Sequence, residues 1–367
     1  MMLKRRRAIP IAAAALVALT VAACGSSGGG SSASAATVGT AGHPIVYSDE
    51  NSLIAAAKKE GTVNVYEAPE FTDFLVKGFE QAYPWAKVNV TGLEPPAAAA
   101  KWATEVSAGV KNADVVSIYI TQVKQFTDKN AISAVQVAND SQIVQPLQDP
   151  NHFFHSTIEY PYVLLYNTKE LPDGGPADLA DLTQPQWKGK VVMDNPALGG
   201  PGGLTMAAMK GVIGADGWQA WLKQLKANDI DLTDSSSSSY DAVVRGERPL
   251  CICSYHDFIG QAAGTPVGVD FYNQDNTGVI PQAGTMVVSA TAPHPAMAAL
   301  WLNWVLSQDG GQAAVAASGR TPTEENVPGA DKVGVPAGKK VASFSVLTDY
   351  INNPDSYNDV FKSIFGS

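Results

Sequence analysis

Tyr66, Tyr119 and Tyr255, together with Glu67, fall at the predicted ends of strands, where side chains can meet a ligand. A phenol offers both a ring face and a hydroxyl, so the three can line a pocket for a small organic solute, with Glu67 pairing with an amine on it. Each tyrosine alone is more often a packing residue than a ligand contact; their shared placement singles them out. Two loops offer a different chemistry. Gly199-Gly200-Pro201-Gly202-Gly203 leads into a helix beginning near Leu204. There Gly200, Gly202 and Gly203 let backbone N–H groups approach a ligand at a helix N-terminus, which favours an anion. The spacing completes no dinucleotide-binding or P-loop pattern, so a plain flexible turn stays open. Five serines, Ser235 to Ser239, precede a short helix expected from Tyr240. Ser238 and Ser239 are the expected contacts, and a low-complexity linker is the alternative.

Other motifs carry less. Cys251 and Cys253 stand two apart in a predicted strand, a spacing that suits a disulfide poorly, so they are expected as small buried residues. His152 and His155 can share one helix face, but two histidines do not make a metal site, and an interlobe or surface role is expected. Gly25-Ser26-Ser27-Gly28-Gly29 formally fits the nucleophile motif G-x-S-x-G, yet no strand precedes it. HExxH is absent, and an exported hydrolase or transferase is the minor alternative. No enzyme activity and no resident cofactor are expected.

Strands and helices must position these residues, and the sequence alternates them. Thr62 to Tyr66 reads as a half-buried strand, and Phe71, Phe74, Leu75, Phe79 and Tyr83 then recur at helical spacing until Pro84. Val88 to Val90, a helix over Ala97 to Val110 and a strand over Asp114 to Ile120 complete a βαβαβ rhythm. Tyr162 to Tyr166, Lys190 to Met193, Leu250 to Ser254 and Val267 to Phe271 repeat it, and Ala296 to Leu306 carries a wide apolar face. Helix-separated strands need crossovers, so an α/β fold of two lobes follows, each a mostly parallel sheet flanked by helices, with a ligand cleft between them. Residues 45–157 and 280–335 are expected to form lobe 1 and residues 158–279 lobe 2. Helices in 336–367 are expected to pack on a lobe.

The N-terminus supplies an address. Lys4-Arg5-Arg6-Arg7, a short apolar run and Val21-Ala22-Ala23-Cys24 read as an export signal over 1–23, and the run is too short to span a bilayer. Those last four residues resemble the lipobox of bacterial lipoproteins, with Val21 where leucine is commonest. The resemblance implies acylation of Cys24 and anchoring to the outer face of the cytoplasmic membrane, with 24–44 as a Gly/Ser/Ala-rich tether. Without the four basic residues of the signal, 21 Lys and Arg face 35 Asp and Glu, a net charge of −14. Such acidity argues against nucleic acid as a partner.

A wider resemblance rests on Tyr162 to Leu171, Asp178 to Leu182, Trp187 to Asp194, Ala242 to Glu247 and Ala298 to Gly311, in that order. Together they resemble the extracellular solute-binding proteins of ABC transporters, in the branch with ferric-iron, thiamine, polyamine and aminoalkylphosphonate receptors. That resemblance implies a type II periplasmic-binding-protein fold and a monomer that delivers a small solute, favoured to be an organic anion or zwitterion, to a permease and its ATPase. Ferric-binding relatives carry two adjacent tyrosines where this chain has Tyr255-His256. Tyr255 is therefore the candidate metal ligand should ferric iron be the cargo, with Glu67 or Glu70 in place of the usual histidine.

Overall fold

A computed structural model describes residues 38–366 except 48, 144–146 and 325; the export signal and Cys24 lie outside the described residues. In chain order the first strands are β1 (Ile45–Tyr47), β2 (Thr62–Glu67), β3 (Lys87–Gly92), β4 (Val115–Ile118), β5 (Ile132–Ser133), β6 (Val135–Val137) and β7 (His155–Glu159). They are followed by β8 (Tyr162–Asn167), β9 (Val191–Asp194), β10 (Asp231–Thr233), β11 (Leu250–Ser254), β12 (Val267–Asp270) and β13 (Ala283–Ser289). One sheet runs β3-β2-β4-β13-β5 with β7 also on β13, and the other runs β10-β9-β11-β8-β12. Two lobes result.

Alternation along β2 explains why lobe 1 has helices on both faces. Val63 and Val65 point into a core with Leu75 and Phe79 from the helix Pro69–Ala82 and with Trp301 from the helix Pro295–Val305. Phe79 meets Trp301 edge-on at 5.2 Å between ring centres. Tyr66 points the other way, into a cluster with Ile118, Trp102 and Phe126, whose rings stack at 4.2 Å. Proline opens both crossover helices, Pro69–Ala82 and Pro95–Ala108, where its missing N–H has no cost.

Each sheet has a parallel centre, β3-β2-β4 in lobe 1 and β10-β9-β11 in lobe 2. The strands entering from the opposite lobe run against it: β13 is antiparallel to β4, and β8 is antiparallel to β11. They need no helical crossover, because β7 passes into β8 through Tyr160 and Pro161 alone. The returning segment lies alongside, with Tyr160 N–H donating to the Gln282 carbonyl at 3.0 Å and Tyr162 N–H to Ile280 at 3.1 Å. Pairing of the two crossings makes a narrow hinge.

Four local expectations are corrected. Cys251 and Cys253 are joined by a disulfide, since their Cα atoms are 5.5 Å apart, closer than the roughly 6.6 Å of a regular extended pair. His152 has a left-handed backbone, and His155 is a buried residue of β7. Both rings place Nδ1 on the buried Asp140 carboxylate, at 3.0 and 2.7 Å, so they share one carboxylate instead of one helix face, His155 fully buried and His152 part-exposed. The serine run is no linker: Ser236 begins a helix ending at Arg245, because Ser235 caps it through Ser238 N–H at 3.2 Å. Finally, the helix after the glycines starts at Pro201 instead of Leu204.

Candidate functional site

The carboxyl ends of β2, β4, β9 and β11 meet where the chain crosses between lobes, the place such sheets offer a ligand. Asp194 is the last residue of β9, and its Oδ2 accepts the Gly202 N–H at 2.7 Å. The aspartate thus already occupies the helix N-terminus that sequence reasoning offered to an external anion. Only glycine fits at 202, because a Cβ would lie 2.5 Å from the Asp194 carbonyl oxygen and 2.8 Å from its carboxylate. Gly203 is similarly pressed by Pro196 and the Tyr350 hydroxyl, and Gly200 lies under the Tyr119 ring, which a Cβ would meet at 3.2 Å. The three glycines serve close approach of chain to chain, and Gly200 does so between lobes. Thr121 adds a second contact there, donating to the Gly199 carbonyl.

Burial pushes the Asp194 carboxyl up to about 6, with Gly202 N–H and the Tyr162 hydroxyl pulling it back. Its Oδ1 is buried with no hydrogen-bond partner among the described residues. Tyr119, Tyr160 and Tyr162 all feel the charge of the Asp194 carboxylate. Burial raises the Tyr119 hydroxyl first, then Asp194 and Glu94 raise it further. Tyr160 is raised by burial and then by Tyr119, Glu67, Asp194 and Glu94, and Tyr162 by burial and then by Asp194, Asp257 and Tyr119. Glu67 ends β2, buried, with Oε1 accepting the Ala68 N–H at 3.1 Å. The cleft therefore presents an oxygen-rich, acidic surface drawn from both lobes and the hinge.

The other predicted residues are dispersed. Tyr66 lies in the lobe 1 core with its hydroxyl donating to the Glu105 carboxylate at 3.0 Å and Lys101 Nζ 5.2 Å over its ring. It is one residue short of the strand end and faces away from Glu67's surroundings. Tyr255 donates its N–H to the Pro161 carbonyl at 2.9 Å, at the hinge, while its ring packs between Phe258 at 5.9 Å and Phe271 at 5.3 Å. Ser239 is fully buried and bonded to Thr233 at 2.6 Å, and Ser238 is exposed beside Ser235. It is Ser236 and Ser237 that reach toward the hinge end of β11, donating to Asp257 at 2.6 and 3.3 Å, and Ser236 also accepts the Ser254 N–H. Burial and the Arg320 charge push His256 down to about 4, so its ring is neutral. Among the described residues no three His, Cys, Asp or Glu side chains gather as a metal site.

Sequence reasoning missed Tyr160, Tyr162, Glu94, Asp194, Ser236 and Asp257 as site residues. A usable signal existed for two of them, since Tyr160-Pro161-Tyr162 joins two strands with no room for a helix.

Two sheets of this topology, joined by paired crossings around a polar cleft, define a two-lobe binding protein of type II. Residues 75–341 match the family model described as bacterial extracellular solute-binding protein, and the chain belongs to that family. Its members capture small solutes for ABC importers. Among solved structures, the chain is similar to the periplasmic binding protein AfuA of Actinobacillus pleuropneumoniae with fructose-6-phosphate bound, at a TM-score of 0.71 and 20% identity. That alignment covers 83% of this chain and 97% of the other. Similarity extends to apo ferric ion-binding protein A of Pasteurella haemolytica, with a TM-score of 0.69, 18% identity and coverage of 83% and 98%. Iron-bound HitA of Pseudomonas aeruginosa gives 0.68 and 16%, covering 83% and 99%. No curated protein matched the sequence.

Proposed function

We propose that this protein is an exported receptor that closes its lobes on a small organic zwitterion and passes it to an ABC permease and its ATPase without chemical turnover. The observation that carries the reading is the buried, half-unpartnered Asp194 carboxylate set among Tyr119, Tyr160, Tyr162, Glu67 and Glu94. An ammonium group satisfies such a surface, donating to Asp194 Oδ1 and lying against phenol rings. A simple organic anion, the other solute class suggested by the sequence, meets repulsion there. The lipid on Cys24 and the tether hold the receptor at the membrane in this reading.

Ferric iron is a second reading, favoured by the same oxygen-only donors, since Fe(III) is a hard ion that prefers anionic oxygen. Two of the structural neighbours are described as ferric ion-binding or iron-bound. Here the phenols at the hinge, Tyr119 and Tyr160, join Tyr255 as candidate ligands.

Purification without added ligand, followed by denaturation, mass spectrometry and a visible spectrum, separates the readings. Release of an amine-bearing zwitterion is expected. A phenolate-to-iron charge-transfer band after Fe(III) loading, lost in Tyr255→Phe or Tyr160→Phe, would establish the metal instead.

A further inference from the structure

Beyond residue 341, where the match to the family model ends, the chain crosses onto lobe 2. Val279 N–H donates to the Lys340 carbonyl at 3.0 Å and Ala342 N–H to that of Val279 at 2.8 Å, so the crossing runs beside the hinge. Two helices follow, Thr348–Asn352 and Pro354–Phe365. The second is anchored on lobe 2: Tyr357, Phe361 and Phe365 are buried, and Trp218 meets Tyr357 and Phe361 edge-on at 5.3 and 5.8 Å. Lys210 Nζ ties both helices to the same lobe, donating to Asp349 Oδ2 at 3.1 Å and to the Tyr357 hydroxyl at 3.0 Å. The helix Thr348–Asn352 also lies against Ile120–Gln122 and Val123–Thr127 of lobe 1, beside the bond from Thr121 to Gly199. From this helix Tyr350 reaches the Asp194 junction. It is 1% exposed, its ring packs on Tyr357 at 5.2 Å, and its hydroxyl donates to Asn358 Oδ1 at 2.9 Å. That bond fixes the hydroxyl, whose oxygen fills the space where a side chain of Gly203 would begin, 2.8 Å from an added Cβ. The Pro196 carbonyl oxygen lies in the same space, at 2.7 Å. Asp194 is near enough that its charge, after burial, raises the Tyr350 hydroxyl.

We infer that Tyr350 is a positioning residue of the solute site: pressed on Gly203, its hydroxyl holds the Gly202–Gly203 turn in the orientation that aims the Gly202 N–H at Asp194 Oδ2 and leaves Oδ1 for the solute. The C-terminal segment is then a working part of the binding site and not only a cover on lobe 2. Two adjacent glycines have wide backbone freedom, and the first N–H groups of a helix have no intrahelical partner, so this turn needs an outside wall to keep one orientation. The Tyr350 hydroxyl and the Pro196 carbonyl supply that wall. Without the hydroxyl the peptide between the glycines gains room to rotate, and the carboxylate loses the donor, at 2.7 Å, that sets which of its oxygens faces the cleft. That Oδ1 meets the solute belongs to the reading above; the hold on the turn stands apart from it and is measured without solute.

Hydrogen exchange read by NMR in the ligand-free, full-length protein tests the hold. Tyr350→Phe keeps the ring against Tyr357 and removes the hydroxyl. The Gly202 amide should then exchange roughly tenfold faster, while that of Gly211, inside the same helix, stays within about twofold of the parent. Asn358→Ala, which keeps the hydroxyl but frees its rotation, should speed Gly202 severalfold. Equal acceleration of Gly202 and Gly211 would show that the hydroxyl serves overall stability alone, and an unmoved Gly202 in both variants would show that it does not hold the turn; either result overturns the proposal. Methylammonium chloride, titrated into the parent and Tyr350→Phe, separates the proposal from the solute reading. Methylammonium binding that is severalfold weaker in Tyr350→Phe supports both. A Gly202 amide that depends on Tyr350, in a protein indifferent to methylammonium, supports the positioning role and counts against an ammonium group at Asp194. Parental methylammonium affinity in Tyr350→Phe, with Gly202 exchange unmoved, does the reverse.

Discussion

Asp194 holds one carboxylate oxygen on the Gly202 N–H and leaves the other buried and unpartnered, an arrangement that costs the empty protein stability. Burial is the main cause of its raised pKa, about 6 against an ordinary value near 4. The folded state therefore binds this proton more tightly than the unfolded state, and the contribution to stability falls as pH rises from about 4 to about 6. Above that window the loss is on the order of 3 kcal/mol. Asp194→Asn keeps an acceptor for Gly202 and removes the charge. Ligand-free Asp194→Asn should be more stable than the parent at pH 8 by up to about that amount and no more stable at pH 4, while binding solute at least tenfold more weakly. Urea unfolding at the two pH values checks it; an advantage of equal size at both would show that burial of the charge is not the cause.

The junction of β9 with the helix Pro201–Ile213 turns that residue into a site, and it depends on Gly202 more than on any neighbour. A Cβ there would meet Asp194 at 2.5 Å, whereas one at Gly211 in the same helix would meet nothing within 4 Å. Gly202→Ala should cost roughly 1–3 kcal/mol and displace the carboxylate, weakening solute binding as well. Gly211→Ala should stabilise the helix by roughly 0.5–1 kcal/mol and leave affinity unchanged. Thermal unfolding and calorimetry on the pair test whether close approach at 202, and not helix propensity, positions Asp194. The same junction shows what the sequence made legible. Strand and helix identities were readable from apolar period and proline placement, as at Thr62–Glu67 and Pro69–Ala82. The glycine run was readable as a close approach, but its partner was not, because Asp194 becomes a cap only when β9 and the helix are packed. Tyr66 misled for a related reason: a residue one short of a strand end points to the opposite face from the terminal Glu67, and only the sheet's two flanking cores decide which face is the cleft. The serine helix was hidden because serine cap and serine linker share one residue type.

At the scale of the whole molecule, recognition and retention are separable. The two lobes are joined by Tyr160-Pro161 and its paired return strand, and they touch through Thr121 and Gly199 and through Gln282, which donates to Pro201 and Thr205 at 3.2 Å. The site groups named above lie within this body. In the proposed reading, affinity is set by the cleft and the closing equilibrium, and the proposed lipid on Cys24 confines the receptor to the surface its permease occupies, raising their effective concentration. On that reading Cys24→Ala should leave the detergent phase on partitioning, appear in the medium or wash, and bind solute with a dissociation constant within about twofold of the parent. Uptake by cells should fall steeply, and most at low receptor levels, where confinement matters most. A variant that stays in the membrane fraction would remove the lipid from the account. One that is released but loses affinity would mean the anchor shapes the cleft as well as retaining it.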